Sequence, residues 1–152
     1  MHVSPMLEDA QALVGLEQAA LLARIGASAH EVGYGAYGPT NDLEAVDARA
    51  PVNGIVFFDK GRVILVVLGP GDPEPEPTVV GAVHADALAA AHPQAVSLRS
   101  RSGKQFSHYV DAAAGIAWSA GEGRVTYMEL FEPTDLDTYK RRFYKEPMFF
   151  YK

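Results

Sequence analysis

The sequence predicts an α+β fold, a single mainly antiparallel sheet of about six strands packed by N- and C-terminal helices. Three observations predict it. Apolar residues follow a helical spacing at the start of the chain and again near its end. Between them lie short runs rich in β-branched and aromatic residues, joined by tight Gly-containing turns that pair neighbouring strands antiparallel. The order of elements is helix, strands, short helix, strands, helix, with no strand–helix–strand alternation of the parallel kind.

Ser4-Pro5 reads as an N-cap followed by proline at the first helical position. Met6, Ala10, Leu13, Val14, Leu21 and Ile25 then recur on one helical face, and Gly26 stops the helix, so a helix over 5–25 is expected. Gly15 inside it costs about 1 kcal/mol relative to alanine, which suggests close packing at that point. Residues 26–54 are rich in Gly, Asp, Asn and Pro and read mostly as loop, with a short strand near 30–35. So long a loop is uncommon in a compact domain, so it either hides an element or has a use.

Ile55–Asp59 and Arg62–Leu68 flank Lys60-Gly61, the strongest hairpin signal in the chain. Both strands are apolar on both faces, which places them centrally. Residues 69–78 follow as an extended acidic Pro/Glu-rich loop, because their prolines cannot join a central strand. A short strand is read over 79–83 and a short helix over 85–92, stopped by Pro93. Val96–Ser100 and Lys104–Val110 form a second hairpin. With Arg101-Ser102-Gly103 as its loop, Leu98 would face Phe106 and Val96 would face His108. Gly115–Ser119 and Arg124–Phe131 form a third, across Ala120–Gly123. Thr134-Asp-Leu-Asp137 resembles a capping box that opens a last helix, with Leu136, Tyr139 and Phe143 on one face and Pro147 at its end.

The chain has 152 residues, no cysteine and a net charge of −6. Its length suits one domain over 1–152. The absence of cysteine excludes disulfides, thiol catalysis and cysteine-ligated metal. The charge is uneven: residues 1–98 carry 12 acidic and 4 basic side chains, residues 99–152 carry 7 and 9. Overall acidity makes nucleic acid an unfavoured partner, and no apolar run is long enough for a membrane span. Nor is there a cationic leader, so cytoplasmic residence is the expectation. No internal repeat is seen at periods of 20–50 residues.

Several segments invite a chemical reading. Gly33-Tyr-Gly-Ala-Tyr-Gly38 matches G-x-G-x-x-G, yet Pro39 follows where a dinucleotide fold needs a helix N-terminus. Arg99–Lys104 lacks the outer glycine and the hydroxyl residue of a phosphate loop. The five histidines are scattered, so no metal and no cofactor are expected. Ser119, His108 and Asp111 are the residue types of a hydrolase triad, without the G-x-S-x-G elbow. The interleaved aromatics and bases of residues 139–152 read as a docked terminal helix with its cations outward.

The strand Arg124–Phe131 is the most informative. Val125, Tyr127, Glu129 and Phe131 share one face. Glu129 among aromatics would have a raised pKa suited to acid–base work. The bland expectation is a cross-sheet pair with Arg99 or Arg101. No catalytic residue is assigned outright.

Two functions follow, with the first preferred. One is a small cytoplasmic protein-binding module of the inhibitor or immunity type, whose acidity speeds capture of a basic protein partner, with Arg99, Arg101, Trp118, Tyr127 and Glu129 as binding residues. The Ala- and Gly-rich composition suggests a bacterial source. The other is a small enzyme or ligand-binding protein with a pocket between the sheet and the last helix, using Glu129, His108, Tyr127 and Arg99. A homodimer burying the second sheet face is a third arrangement.

Overall fold

A computed structural model describes residues 5–48, 54–69 and 84–147. The acidic segment after Gly69, the strand expected over 79–83 and the tail after Pro147 lie outside the described residues.

The fold is mixed helix and strand with one antiparallel sheet, and the sheet has eight strands rather than about six. In chain order these are β1 Gly33–Tyr37, β2 Thr40–Ala48, β3 Gly54–Asp59, β4 Arg62–Leu68, β5 Val96–Arg99, β6 Ser107–Asp111, β7 Ile116–Gly121 and β8 Arg124–Phe131. Their spatial order is β1-β2-β3-β4-β8-β7-β6-β5. Two four-stranded meanders are thus joined through their last strands. Strand β2 lies within the stretch expected to be loop, and β1 overlaps the short strand expected near 30–35 but runs on to Tyr37. Their Gly- and Asp-rich sequence has little strand propensity of its own, and pairing with β3 supplies what propensity does not.

The expected helix over 5–25 is two helices, α1 Pro5–Gln11 and α2 Gln18–Ile25. The break falls at Gly15, with φ of 90°. There the chain leaves the helix and runs beside β4: Gly15 N donates to Val63 O, and Val63 N donates to Leu16 O. The Arg62 guanidinium lies 3.7 Å from where a Cβ on Gly15 would stand, an ordinary contact, so glycine is needed here for its positive φ rather than for the close packing expected.

Both sheet faces carry a core. Helices α1 and α2, with the short helix α3 (Ala85–Ala91), cover one face through Leu21, Ile25 and Leu88, against Val56, Val66, Trp118 and Met128. Helix α4, Leu136–Phe143, covers the other with Tyr139 and Phe143, against Leu65, Phe131 and Ala117. Burying each of these rings stabilises by about 2 kcal/mol. The cap of α4 is Asp135, not Thr134: its carboxylate accepts from Thr138 N at 2.8 Å and from Thr138 Oγ1 at 2.9 Å.

The β5–β6 hairpin pairs Leu98 with His108 and Val96 with Val110, two residues from the expected register. Its connection is Ser100–Phe106 rather than three residues, because Ser100 leaves the strand to bury its hydroxyl on Ser119. A shift of two preserves the side-chain face. The third hairpin closes on two residues, Glu122-Gly123, rather than on Ala120–Gly123. Gly33–Gly38 is strand β1 and the start of its turn, not a nucleotide loop. Among the described residues, no helix is long and apolar enough to cross a membrane.

Candidate functional site

The face of the sheet under α4 carries a buried polar cluster. On β8 the period of two aims Tyr127, Glu129 and Phe131 at α4, while the bulge at Thr126 turns Val125, expected with them, to the other face; on the neighbouring strands His108 and Ser119 share the α4 face. Glu129 is 2% exposed and His108 is 1% exposed. Both carboxylate oxygens of Glu129 are occupied: Tyr37 Oη donates to Oε2 and Tyr139 Oη donates to Oε1. His108 Nε2 stands 2.6 Å from Tyr139 Oη, and His108 Nδ1 stands 2.8 Å from Tyr127 Oη.

Counting hydrogens sets the direction of these bonds. Tyr139 has one hydroxyl hydrogen and gives it to Glu129, so it accepts from His108 Nε2–H. Neutral His108 then has a bare Nδ1, which accepts from Tyr127 Oη–H. The chain of donors therefore runs Tyr127, His108, Tyr139, Glu129, with Tyr37 donating from the far side. Among the described residues no buried side-chain polar atom is left without a partner.

The electrostatics agree with a neutral imidazole. Burial, then the charge of Arg101, lowers the His108 pKa to about 4. Burial pushes the Glu129 carboxyl above the usual carboxylate range, while the Tyr139 and Tyr37 hydroxyls and Arg101 pull the other way. Burial and the charge of Glu129 raise all three phenols, Tyr37, Tyr127 and Tyr139.

Distant segments deliver these groups. The β1–β2 turn presses on the end of α4: a Cβ on Gly38 would stand 2.4 Å from Phe143 O, and Thr40 Oγ1 donates to Arg142 O. That contact brings Tyr37 from the edge strand over the middle of the sheet. The 100–106 connection is pinned by hydroxyls, with Ser102 Oγ 2.8 Å from Thr126 Oγ1. Arg101 is thereby laid over the Tyr127 ring, 4.2 Å from its centroid, and over the Tyr37 ring at 5.0 Å.

A cleft of about 420 Å³ opens here between the sheet and the chain leaving α4. Arg99, Arg101, His108, Tyr127 and Glu129 line its sheet side, and Phe143, Tyr144, Lys145 and Pro147 its outer side. The outer wall is tied down, with Tyr144 Oη donating to Arg99 O at 2.9 Å and Arg99 Nε standing 3.7 Å from Glu146. A broader depression of about 640 Å³ lies beyond it, lined by Leu98, Lys104, Phe106 and Lys140. That depression has no buried carboxylate or imidazole in its walls.

Of the residues singled out from sequence, Glu129, His108, Tyr127, Arg99 and Arg101 meet in one cleft. Trp118 does not. It is 1% exposed on the opposite face, stacked on Tyr109 at 5.5 Å. The expected Glu129–arginine pair is replaced by the two tyrosine hydroxyls, and Arg99 pairs with Glu146. Ser119, His108 and Asp111 form no triad: Asp111 binds His92 at 3.0 Å, and His108 is held by tyrosines. Among the described residues, no group of His, Asp and Glu is placed to hold a metal ion.

Tyr37, Tyr139 and Lys145 were not foreseen in this site. Tyr139 had a readable signal, since a tyrosine on the apolar face of a helix needs a partner for its hydroxyl. Compared with known proteins, the chain matches no family model, no curated protein and no solved structure.

Proposed function

We propose that this protein is a binding protein for a small organic molecule, held in the cleft between the sheet and the chain leaving α4. The observation that carries the reading is the convergence of five chemically distinctive residues, Arg99, Arg101, His108, Tyr127 and Glu129, on one cleft. Its volume falls within the usual range of small-molecule sites, roughly 300–1,000 Å³, and its walls mix aromatic rings with a few aimed polar groups.

Binding is favoured over catalysis by the state of the reactive groups. A general base needs a free lone pair within reach of its substrate. Both oxygens of Glu129 and both nitrogens of His108 already have partners inside the protein. What is left to meet a ligand is the Arg101 guanidinium, the rim of Tyr127 and the outer wall. The buried cluster serves as the rigid floor that fixes them.

A second reading, a partner-binding module that captures a basic protein, draws on the edge strand β1. Tyr34 is 83% exposed there and faces Glu44 on acidic β2. One experiment separates the two. Isotope-labelled protein titrated with a mixed small-molecule fragment set should show amide shifts clustered at Arg101, Tyr127 and Tyr144–Lys145. Shifts scattered over the surface, with a stoichiometric basic protein retained from native lysate and released by salt, would replace the first reading by the second.

A further inference from the structure

We infer that the ligand of this cleft is an organic monocarboxylate, with its carboxylate on the edge of Arg101 and its apolar body against Phe143, Tyr144 and Pro147. The inference rests on the ligand-binding reading above and adds the chemical class.

Arg101 is the starting point. Its guanidinium rests over two tyrosine rings, and among the described residues no carboxylate forms an ion pair with it. One donor of Arg101 goes to the Tyr37 hydroxyl, and a guanidinium has five N–H groups, so others remain for a partner. Those donors match a carboxylate with two parallel hydrogen bonds. Arg99, by contrast, already has Glu146. The cleft is lined by Arg99, Arg101 and Lys145 against Glu129 and Glu146, so cations outnumber acids and the lining favours an anionic group.

The same geometry argues against a phosphate. Phosphate sites gather backbone N–H groups at a helix N-terminus or in a glycine loop. This cleft meets the opposite end of a helix: Phe143, Tyr144 and Lys145 are where α4 stops, so the backbone there presents the negative end of the helix dipole. A doubly charged group would be repelled there. A carboxylate on Arg101, on the sheet side, leaves that end to the neutral part of the ligand.

The test uses the full chain and NMR titration with three probes: 1-naphthoate, its neutral counterpart 1-naphthamide, and inorganic phosphate. The naphthoate should shift the Arg101, Tyr127 and Tyr144 amides and bind at least ten-fold more tightly than the amide, with phosphate weaker than both. Arg101→Gln should erase the preference for the acid. Arg101→Lys keeps a cation over the tyrosine rings without the planar fork, so it guards against a folding defect and should lose most of the preference. Equal binding of acid and amide in the cleft would overturn the carboxylate assignment and leave the ligand-binding reading standing. Tighter binding of phosphate would also overturn it. No shift at the cleft with any probe would sink both.

Discussion

The two meanders are built alike and filled differently. In β3–β4, Asp59 pairs with Arg62, Phe58 with Val63 and Phe57 with Leu65, leaving Ile64 as the extra residue of a bulge. In β7–β8, Gly121 pairs with Arg124, Ala120 with Val125 and Ser119 with Tyr127, leaving Thr126 in the same place. Both hairpins turn on two residues of positive φ, Lys60-Gly61 and Glu122-Gly123. By this correspondence Leu65 matches Tyr127, Val67 matches Glu129 and Ala45 matches His108. Val67 and Glu129 are also direct partners across the β4–β8 pairing, so the local two-fold of the sheet passes between them. One half has apolar side chains where the other has the buried cluster. The backbone plan therefore does not require Glu129 or His108, and what they do must be argued from their own contacts.

The largest effect that separates the halves is a pH dependence. The first half has Ala45 and Val67 at the matching places, so nothing titrates there. His108 has its pKa lowered by burial from 6.5 to about 4. The unfolded chain takes up that proton first on acidification, so the His108 contribution is full above pH 6.5 and is lost as pH falls toward 4. The change is about 3 kcal/mol over that window. Glu129 is raised, so its sign is opposite. Its contribution is present below the ordinary carboxylate range and is lost as pH rises through its raised folded value. Urea unfolding from pH 7 to pH 4 should therefore show Glu129→Gln losing stability on acidification and His108→Gln gaining it, both relative to the double variant. Parallel curves for the two single variants would mean that neither group is held as described.

Next in size is conversion of one half toward the other. Glu129→Val copies Val67 and leaves the Tyr37 and Tyr139 hydroxyls without their acceptor, each a loss of about 1–3 kcal/mol. Removing the burial penalty of the carboxylate offsets part of this. A net loss of about 2 kcal/mol is expected by denaturant unfolding. Glu129→Gln keeps an acceptor oxygen and should lose about half as much at pH 7. If Glu129→Val were more stable than the parent, the carboxylate would be retained at a cost to stability, and the cluster would not be what holds Tyr37 and α4 to the sheet.

The comparison also explains what could be read in advance. The β3–β4 and β7–β8 hairpins are legible because residue–glycine turns and apolar runs are local signals. Strand β2 and the full extent of β1 are not, since Gly33, Gly35, Asn41 and Asp42 are poor strand formers held by β3 and by the contact of Gly38 with α4. The period of two on β8 is enough to place Tyr127 and Glu129 together. It cannot show that Tyr37, from the other edge of the sheet, reaches the same carboxylate. A repeat was present: Gly61-Arg62-Val63 with Leu68 recurs as Gly123-Arg124-Val125 with Leu130. It lies outside periods of 20–50 residues and is short, because only the turn, the bulge and the first buried positions are shared.

The smallest effect tests whether the two turns are physically equivalent. Lys60 and Glu122 both have φ of 54°, and Gly61 and Gly123 have φ of 77° and 79°. A Cβ on either glycine would meet nothing within 4 Å, so a substitution there is opposed by backbone conformation alone. Left-handed backbone costs an ordinary L-residue about 1 kcal/mol, so Gly61→Ala and Gly123→Ala should each lose about that much. Asparagine tolerates this region better than lysine or glutamate, so Lys60→Asn and Glu122→Asn should each gain about 0.5 kcal/mol. Because the backbone angles match, the effects should be equal in the two halves within about 0.3 kcal/mol and additive, the turns lying at opposite ends of the antiparallel β4–β8 pair. Unequal or non-additive values in chemical denaturation would mean that the turns see different surroundings. The likeness of the two meanders would then be one of hydrogen-bond pattern and not of energy.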